Sequence, residues 1–506
     1  MSGWNSIEPF YADGADGFGP ASGSGSGSFS GSGFGSVSGL VSGSAAASAS
    51  GGWLEESVAR VEASPRFTLC GRVRRVIGQV VEATSLPVAV GEVCRIAPED
   101  RPAMLAQAVG FHEQGTLLMP LGEIEGIHPG AVVIPLGRGF YADAGEGLIG
   151  RVLNGLGRPI DGGDRIGSRR RCSLLGRLPN PLERSPIAQP LGTGVRALDG
   201  LITLGQGQRI GIMAGSGVGK SVLLGMIARH TTADVNVIAL LGERGREVRE
   251  FIERDLGTDG LRRSVVVAAT SDQAAVVRAT GALVATAIAE YFRDSGRNVL
   301  LMMDSITRVA MAWREIGLAV GEPPTTKGYP PSVFANLPRL LERAGTARQG
   351  SITGLYTVLV EGDDFNEPIA DATRSILDGH IVLSRQLANA KHFPAIDVLE
   401  SVSRVRDAVI PRQHLEAANA LLRLEAAYRS HEDLIAVGAY KPGADPQVDA
   451  AIALRSQIEA FLRQEAHDSS SLPETQVRLQ HLATLIDKHL KGERNEKVRV
   501  PVGSRA

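Results

Sequence analysis

A glycine-rich segment, Ala214-Gly-Ser-Gly-Val-Gly-Lys-Ser221, constrains the fold of this chain more than any other part of the sequence. It follows the short apolar run 209–213 and precedes residues 222–229, whose apolar side chains recur at helical spacing. The order is therefore strand, glycine-rich loop and helix, which directs backbone N–H groups toward a phosphate at the helix N-terminus. The alternative is a glycine-rich surface turn that precedes a helix.

The residue types in this loop suit a phosphate site. Gly215, Gly217 and Gly219 let the main chain approach phosphates without Cβ clashes, and Lys220 would place a positive charge beside the β- and γ-phosphates. The hydroxyl of Ser221 would coordinate Mg²⁺. One residue departs from the usual motif, because Ala214 stands where the first glycine is expected. The residues of the predicted nucleotide-binding loop are Gly215, Ser216, Gly217, Val218, Gly219, Lys220 and Ser221.

Length and composition indicate a soluble protein of two or three domains. The chain has 506 residues, of which 43% are hydrophobic and 21% charged. A chain of this length is too long to fold around a single hydrophobic core. A formal net charge of −2 argues against a dedicated nucleic-acid-binding protein. The cysteines, Cys70, Cys94 and Cys172, fit neither a disulfide framework nor a zinc site. Because neither a secretory signal nor an apolar run of membrane-spanning length is readable, we expect a cytoplasmic protein.

The apolar pattern divides the chain into successive units. Short β-rich runs broken by Gly and Pro predict a small β-barrel over residues 67–150. Residues 185–410 alternate continuous apolar strands with longer helical segments, which is typical of an α/β domain. Helical spacing continues over 411–487, and a basic tail of residues 488–506 follows. The strands predicted for the α/β unit are 209–213, 235–241, 264–269, 299–304, 355–360 and 380–384.

Residues 1–52 form a separate low-complexity segment. They contain no Lys or Arg, and from Gly19 to Gly52 most residues are Gly, Ser or Ala. Such a segment cannot bury enough apolar surface to offset its ordering entropy, so we predict that it is disordered. It is either a simple tail or a flexible tether that carries a short docking motif at Trp4–Tyr11.

Hydrolysis of a phosphoanhydride requires a carboxylate for the metal and a group that orients water. The apolar run 299–304 ends in Asp304, which we expect to hold the Mg²⁺ shell, although an Asp at a strand end is also a common turn residue. Glu243 follows the strand 235–241, and the carboxyl ends of parallel strands share one edge, so Glu243 is predicted to polarise the attacking water. Arg244 is assigned to the same site as a phosphate contact. The alternative is that Arg244 and Arg246 pair with neighbouring glutamates on the surface.

Several motifs together resemble one family of ATPases. Five motifs occur in the same order as in the family that includes rotary F-type ATP synthase subunits. They are Gly192–Gly200, Ala214–Ser221, Gly242–Arg246, Asp304–Arg308 and Ser401–Arg404. A closer similarity, to flagellar export ATPases and their virulence type III secretion relatives, is found in Gly317–Pro324, Gly328–Ser332, Val360–Asp364 and Ser375–Ser384. The resemblance extends over roughly residues 67–465. In this family alanine is tolerated at the position of Ala214.

The resemblance implies an α/β fold with a RecA-like P-loop ATPase core, an N-terminal small β-barrel and a C-terminal helical domain. It implies an Mg²⁺-dependent ATPase in which Glu243 is the catalytic glutamate and Arg244 lies near the γ-phosphate of ATP. Arg404 matches the arginine finger, which acts on the nucleotide of the neighbouring subunit. Phe393 occupies the aromatic position that packs on adenine, and Tyr440 would close the other side of the base.

The resemblance also implies an assembly and its partners. Because one chain carries both Glu243 and Arg404, the implied assembly is a homohexameric ring, whereas F-type synthases divide these roles between two kinds of subunit. The implied partners are a stator-like regulator, export-gate components, export substrates and their chaperones, with no nucleic acid. Such a protein would act as a peripheral component at the cytoplasmic face of the inner-membrane export apparatus.

Other functions are weighed against flagellar export. A ring helicase that translocates RNA would need a basic, aromatic-bearing platform before the ATPase core, whereas residues 67–150 mix acidic and basic side chains and contain few aromatics. A scaffold that binds nucleotide without hydrolysis is disfavoured by the presence of Lys220, Glu243 and Asp304. An ATPase of virulence secretion is the remaining alternative, and the loop Gly215–Gly225 resembles the flagellar form.

Overall fold

A computed structural model describes residues 69–497, except for residues 99–100, 114, 165, 168, 177 and 361–366. The predictions for residues 1–52, including the docking motif, lie outside the described residues, and so does the end of the predicted basic tail, residues 498–506.

The strands and helices are numbered here in chain order. The strands are β1 Gly71–Ile77, β2 Val80–Thr84, β3 Glu92–Ala97, β4 Met104–His112, β5 Gly115–Pro120, β6 Val132–Gly139, β7 Tyr141–Ala144, β8 Val152–Asn154, β9 Arg170–Ser173, β10 Pro190–Leu191, β11 Leu204–Gly205, β12 Arg209–Ala214, β13 Val235–Leu241, β14 Ser264–Ala269, β15 Asn298–Asp304, β16 Gly345–Thr346, β17 Ser351–Leu359, β18 Gly379–Leu383 and β19 Ile396–Ser403. The α-helices are α1 Lys220–His230, α2 Gly245–Glu250, α3 Gly257–Leu261, α4 Ala275–Asp294, α5 Ile306–Ala319, α6 Pro331–Leu341, α7 Pro368–Ile376, α8 Arg385–Asn389, α9 Arg406–Val409, α10 Arg412–Ala436, α11 Pro446–Ala453, α12 Arg455–Leu462 and α13 Leu472–Lys497.

The first six strands close into a barrel. Their order is β1-β2-β5-β4-β3-β6, and β6 pairs with β1 to complete the circle. All six neighbouring pairs are antiparallel. Side chains alternate between the inside and the outside, so that in β1 Val73 is buried while Arg72 and Arg74 are exposed. The predicted β-barrel is confirmed.

A larger sheet forms the centre of the molecule. Its strand order is β19-β18-β12-β17-β15-β13-β14-β8, with the short β16 beside β17. The strands from β18 to β8 in this order are parallel, and β19 is antiparallel to β18. Every residue of β13 and β14 is buried, because both faces of the sheet are covered. Each of the six predicted strands is present with ends that differ by at most four residues, which confirms the predicted α/β core.

The parallel arrangement gives the sheet two functionally different edges. β12 leads into the glycine-rich loop, β13 leads into Gly242 and Glu243, and β15 ends at Asp304. We call the edge where these strands end the carboxyl edge. The amino edge contains the starts of β12 and β18 and the end of the antiparallel β19.

Helix α4 is the longest helix of the α/β unit. It is long and apolar enough to cross a membrane by composition, but 83% of that apolar window is buried within the fold. It packs on β13, β14 and β15 and against α5. These contacts make it a core helix.

Helices α10 to α13 form the helical unit that follows β19. Helix α10 packs against α11 and α13, and Ala418 and Leu421 are buried on it. Helix α13 continues to Lys497, so residues 488–497 of the predicted basic tail are helical instead. The ion pair between Asp487 and Lys491, whose side chains are 3.3 Å apart, supports the helix as far as Lys491.

Candidate active site

The glycine-rich loop forms the turn between β12 and α1. Helix α1 begins at Lys220, directly after Gly219, whose φ angle is 89°. Gly217 also has a positive φ angle, of 78°, and residues with a side chain are strained at such angles. The first N–H groups of α1 have no partners inside the helix. They lie at the carboxyl edge, where they can bind an anion.

Three charged side chains from three elements meet beside this loop. Lys220 Nζ lies 2.5 Å from Asp304 Oδ1 and 3.5 Å from Glu243 Oε1. The side chains of Lys220, Asp304 and Glu243 are only 13%, 5% and 16% exposed. The structure thus brings together the residues that the sequence assigns to phosphate, metal and water. We call these three residues the charged cluster.

Burial and neighbouring charges shift the pKa values of Glu243 and Lys220 in the charged cluster. Burial raises the pKa of Glu243 to about 7; the neighbouring Asp304 adds to this increase, and Lys220 opposes it. Burial also disfavours the charge of Lys220, but the two carboxylates outweigh it and raise the pKa of the ammonium group. A carboxyl group with a pKa near neutrality is suited to exchange protons with a bound water molecule.

Thr357 supports the charged cluster, although no sequence motif identifies it. Its hydroxyl, on β17 between β12 and β15, donates a 2.7 Å hydrogen bond to Asp304 Oδ1 and is fully buried. This bond orients the carboxylate that Lys220 also contacts. A single Thr in an apolar strand is typical of any β-sheet, so only the strand order shows that Thr357 lies beside Asp304.

The arginines that follow Glu243 are engaged in surface ion pairs. Arg244 lies 3.3 Å from Glu247, Arg246 lies 3.6 Å from Glu250, and both arginine side chains are about four-fifths exposed. The ion-pair alternative therefore describes both arginines in this structure. The contact of Arg244 with a phosphate stays a prediction.

Arg308 is a further cation near the site that was not singled out from the sequence. Its side-chain carbons lie against Gly242, since a Cβ added there would come within 2.9 Å of Arg308 Cβ. Its Nε is buried and, in the described part of the chain, lacks a hydrogen-bond partner. The only sequence signal for Arg308 is its place at the end of the Asp304–Arg308 motif.

Phe393 lies against the glycine-rich loop. Its ring carbons are 3.5–3.6 Å from the position that a Cβ on Gly219 would occupy. The residue is 41% exposed, so part of the ring remains open to a ligand. Its carbonyl accepts a 2.9 Å hydrogen bond from the backbone N–H of Gln464, in the connection between α12 and α13. An aromatic ring in this position can stack on a base whose phosphates occupy the loop.

Tyr440 lies in the loop between α10 and α11. Its hydroxyl lies within hydrogen-bond distance of two acceptors, Asp445 O at 3.1 Å and Asp449 Oδ1 at 3.0 Å, and its ring meets His431 edge-on. These contacts engage Tyr440 within the helical unit. Its predicted packing on the base stays a prediction.

Arg404 lies at the amino edge of the sheet. It directly follows β19, whose last residue, Ser403, pairs with Gly379 at the start of β18. Strand β12 runs parallel to β18, and the glycine-rich loop follows the carboxyl end of β12, at the opposite edge of the sheet. Since β12 has six residues, a rise of about 3.3 Å per residue separates the two edges by roughly 16 Å. The structure therefore does not bring Arg404 to the charged cluster of its own chain.

The oxygen donors of the site fit Mg²⁺. Ser221 is the second residue of α1, and Asp304 offers a carboxylate at the end of β15. Lys220 and Thr357 both contact Oδ1 of this carboxylate, which leaves Oδ2 for another partner. Mg²⁺ is commonly held by one or two such oxygen donors, with nucleotide phosphates and water as its other ligands.

Family models match the three parts of the fold separately. The β-barrel domain of the ATP synthase alpha/beta family matches residues 73–137, and the nucleotide-binding domain of that family matches residues 194–403. The C-terminal domain of the type III secretion ATPase EscN matches residues 410–481.

Individual proteins match most of the chain. The flagellum-specific ATP synthase of Bacillus subtilis is 53% identical over 424 residues, which are 83% of this chain and 97% of the relative. The type 3 secretion system ATPase of Xanthomonas euvesicatoria is 51% identical over 83% of this chain and 95% of the relative. The structure of the assembled ATPase EscN from enteropathogenic E. coli matches with a TM-score of 0.77 and 46% identity, over 82% of this chain and all of EscN.

The similarity thus includes the barrel, the sheet that carries the charged cluster and the helical unit. The chain belongs to the ATP synthase alpha/beta family, in the branch of the flagellum-specific and type 3 secretion system ATPases, and it is a nucleotide-binding, ATP-hydrolysing enzyme.

Proposed function

We propose that this protein hydrolyses ATP with Mg²⁺ to support the export of flagellar proteins through a type III secretion apparatus. The similarity to the flagellum-specific ATP synthase of Bacillus subtilis supports the part in export, and one observation carries the proposed mechanism of hydrolysis. Lys220, Glu243 and Asp304 meet at the carboxyl edge, whereas Arg404 lies at the amino edge of the same chain. An active site of this composition is complete only between two copies of the chain.

The residues at the carboxyl edge bind and orient the reactants. The loop N–H groups and Lys220 hold the phosphates of ATP, and Ser221 and Asp304 hold Mg²⁺, which neutralises charge on the transferring phosphoryl group when it is bound. Glu243, with its pKa raised to about 7, orients the attacking water and takes a proton from it. Phe393 stacks on the base, and Tyr440 is proposed to close its other side.

The arginine finger completes the site from the neighbouring copy. Arg404 is an exposed residue at the end of β19, and its guanidinium stabilises the charge that develops on the phosphoryl group of the adjacent subunit. A closed arrangement in which every copy both gives and receives a finger is a ring. We propose a homohexamer, and the solved structure of EscN as an assembled ATPase supports assembly in this family.

The proposed setting is the export apparatus at the cytoplasmic face of the inner membrane. One solved relative is described in complex with its central stalk, EscO. By analogy, we propose a stalk or stator-like regulator, export-gate components, and export substrates with their chaperones as partners of this protein.

A concentration series on the purified protein tests the proposed ring. Hydrolysis per subunit should rise with protein concentration as rings form, and the rise should follow the ring fraction measured by light scattering. Lys220→Ala should form rings but lose hydrolysis, because the phosphate charge is missing. A specific activity that stays constant between monomeric and assembled protein would refute a site shared between copies.

Flagellar and virulence export are distinguished in cells. Cells that carry Lys220→Ala in place of the wild-type chain should lose hook and filament proteins from the medium and lose motility. Normal motility together with the loss of secreted effector proteins would assign the protein to virulence export instead, an outcome to which the Xanthomonas relative gives weight.

A further inference from the structure

The backbone of Arg404 is anchored to a junction between the ends of three strands at the amino edge. We call Gln208, Arg209, Asp378, Ser403 and Arg404 the finger junction. Its centre is a fork between Arg209 and Asp378, in which Nε donates to Oδ2 over 3.1 Å and Nη2 donates to Oδ1 over 3.2 Å. The backbone adds two bonds, from Arg209 N to Asp378 Oδ2 over 3.0 Å and from Asp378 N to Arg209 O over 2.8 Å.

The segment that contains Asp378 also binds Arg404, the proposed arginine finger. Arg404 N donates to Asp378 O over 3.0 Å, and Arg404 Nη1 donates to Leu377 O over 3.1 Å. Gln208 Nε2 reaches both Asp378 O, over 3.2 Å, and Ser403 Oγ, over 3.1 Å. The carboxylate of Asp378 therefore binds the start of β12, and the backbone carbonyl of Asp378 binds the backbone N–H of Arg404.

The fork is well suited to fix a position. Bidentate arginine–carboxylate pairs set both distance and orientation, and the side chains of Arg209 and Asp378 are only 16% and 25% exposed. The hydrogen bonds of the fork are therefore partly shielded from water, which would otherwise compete for them.

We infer that the Arg209–Asp378 pair is a positioning device that sets Arg404 for the neighbouring nucleotide and ties it to the strand that carries this subunit's own phosphate loop. Strand β12 begins at Arg209 and ends one residue before Gly215. It pairs in parallel register with β18 from Gly211 to Ala214. A displacement of β12 at the loop end therefore moves the finger junction at the other end. The inference rests on the proposed action of Arg404 on the neighbouring subunit.

The variant Asp378→Asn tests this device. It keeps the size of the side chain and one carbonyl acceptor but loses the charge and the second oxygen of the fork. ATP should bind with unchanged affinity, because the phosphate loop is intact. The kcat of assembled protein should fall about 10- to 100-fold, since misplacement of a catalytic group by about 1 Å can cost 10²-fold.

Mixed assemblies separate a positioning role from a folding role. Asp378→Asn mixed with Lys220→Ala should regain activity, because the intact loop of the first protein meets the intact finger of the second. Asp378→Asn mixed with Arg404→Ala should not, because every interface then has a misplaced or missing finger. Equal results from the two mixtures would refute the positioning role.

A matched control is present at the other side of the sheet. Asp161 receives a similar fork from Arg151, with both hydrogen bonds 2.7 Å long, and a 2.9 Å bond from Val152 N. This fork lies beside β8, at the end of the strand order farthest from β19. Asp161→Asn should keep kcat within about twofold of the wild-type value. Should Asp378→Asn not fold, Arg209→Lys keeps the charge, loses the fork and is tested in the same mixtures.

The outcomes distinguish this inference from the proposed function. Wild-type turnover by folded Asp378→Asn, with Arg404→Ala inactive, would overturn the positioning device and leave the finger in place. Wild-type turnover by Arg404→Ala itself would refute the proposed finger.

Discussion

The two edges of the central sheet are built in different ways. At the carboxyl edge, Lys220 and Glu243 follow parallel strands and Asp304 ends one, so the strand direction alone brings them to one place. At the amino edge, Arg404 follows β19, which runs antiparallel to its neighbour β18. Hydrogen bonds to the carbonyl groups of Leu377 and Asp378 hold Arg404 in place. One edge thus brings a site together within the chain, and the other holds the arginine that we propose acts on a second chain.

The difference teaches that the residues proposed for one reaction can be positioned by separate structural rules. The charged cluster is shielded, and its members contact one another at 2.5 and 3.5 Å. Arg404 is exposed, and in the proposed mechanism its reactant is the nucleotide of a neighbouring chain. Substitutions at the carboxyl edge should therefore act within a subunit, and substitutions at the amino edge should act on its neighbour.

The largest expected effect comes from Arg404→Ala. An arginine finger supplied by a neighbour contributes about 10³–10⁵ in rate, or roughly 4–7 kcal/mol of transition-state stabilisation. The variant should bind ATP and assemble normally but hydrolyse ATP that much more slowly. Single-turnover hydrolysis by assembled protein measures the loss. Arg412→Ala, which removes a 90% exposed arginine paired with Glu416, is the control and should keep wild-type turnover.

Recovery in mixtures decides where Arg404 acts. Arg404→Ala combined with Lys220→Ala should regain part of the activity, because some interfaces join an intact loop to an intact finger. An inactive variant that no mixture rescues would indicate that Arg404 acts within its own subunit or in folding.

The next effect is that of Glu243→Gln. The amide keeps the size and hydrogen-bonding capacity of the side chain but cannot take a proton from water, so turnover should fall about 10²-fold or more while ATP binding survives. Binding and turnover are measured on the same preparation. The control is Glu250→Gln on α2, where the side chain is half-exposed and paired with Arg246. Comparable turnover by the two variants would remove Glu243 from the catalytic role.

Thr357→Val tests the support of the carboxyl edge. Valine keeps the shape of the side chain but removes the hydroxyl that donates to Asp304 Oδ1. Loss of a group that orients a metal-binding residue typically costs 10- to 100-fold in metal affinity or activity, so the Mg²⁺ concentration for half-maximal hydrolysis should rise within that range. Thr357→Ser retains the hydroxyl and should restore the wild-type dependence. An unchanged Mg²⁺ dependence in Thr357→Val would contradict this role.

The smallest expected effect is that of pH. In the proposed mechanism the ionised form of Glu243 is the active form, and burial raises the pKa of this residue to about 7 in the nucleotide-free protein. The ionised fraction therefore falls as pH falls through 7, and kcat/KM should decrease about tenfold between pH 8 and pH 6. The profile is measured over the range in which the melting temperature is constant. A kcat/KM that stays level down to pH 6 would show that Glu243 is ionised throughout.

Sequence patterns predict the carboxyl edge much better than the amino edge. Lys220 and Asp304 belong to motifs whose neighbours in sequence form the strands that position them, so local periodicity suffices. Thr357 and Gln464 give no such signal, because they reach Asp304 and Phe393 only through strand order and the packing of the helical unit. The backbone position of Arg404 likewise depends on Arg209 and Asp378, which are far apart in sequence.

The same limit applies to the surface arginines and the chain terminus. Arg244 follows Glu243 directly, yet its side chain turns to Glu247 because an exposed pair three residues apart forms readily at a helix start. Residues 488–497 read as a basic tail by composition, but they continue α13. Composition alone does not show where a helix ends.

The closed barrel has a consequence for solubility. Open sheets present unpaired N–H and C=O groups at their outer strands, and two such strands can join across molecules and seed aggregates. Strands β1 to β6 leave no outer strand, because β6 returns to pair with β1. If copies of this chain are held side by side in the proposed ring, their barrels are concentrated against one another permanently. A barrel without a free edge can tolerate that crowding. Contacts between copies are then made by side chains and not by unpaired backbone groups.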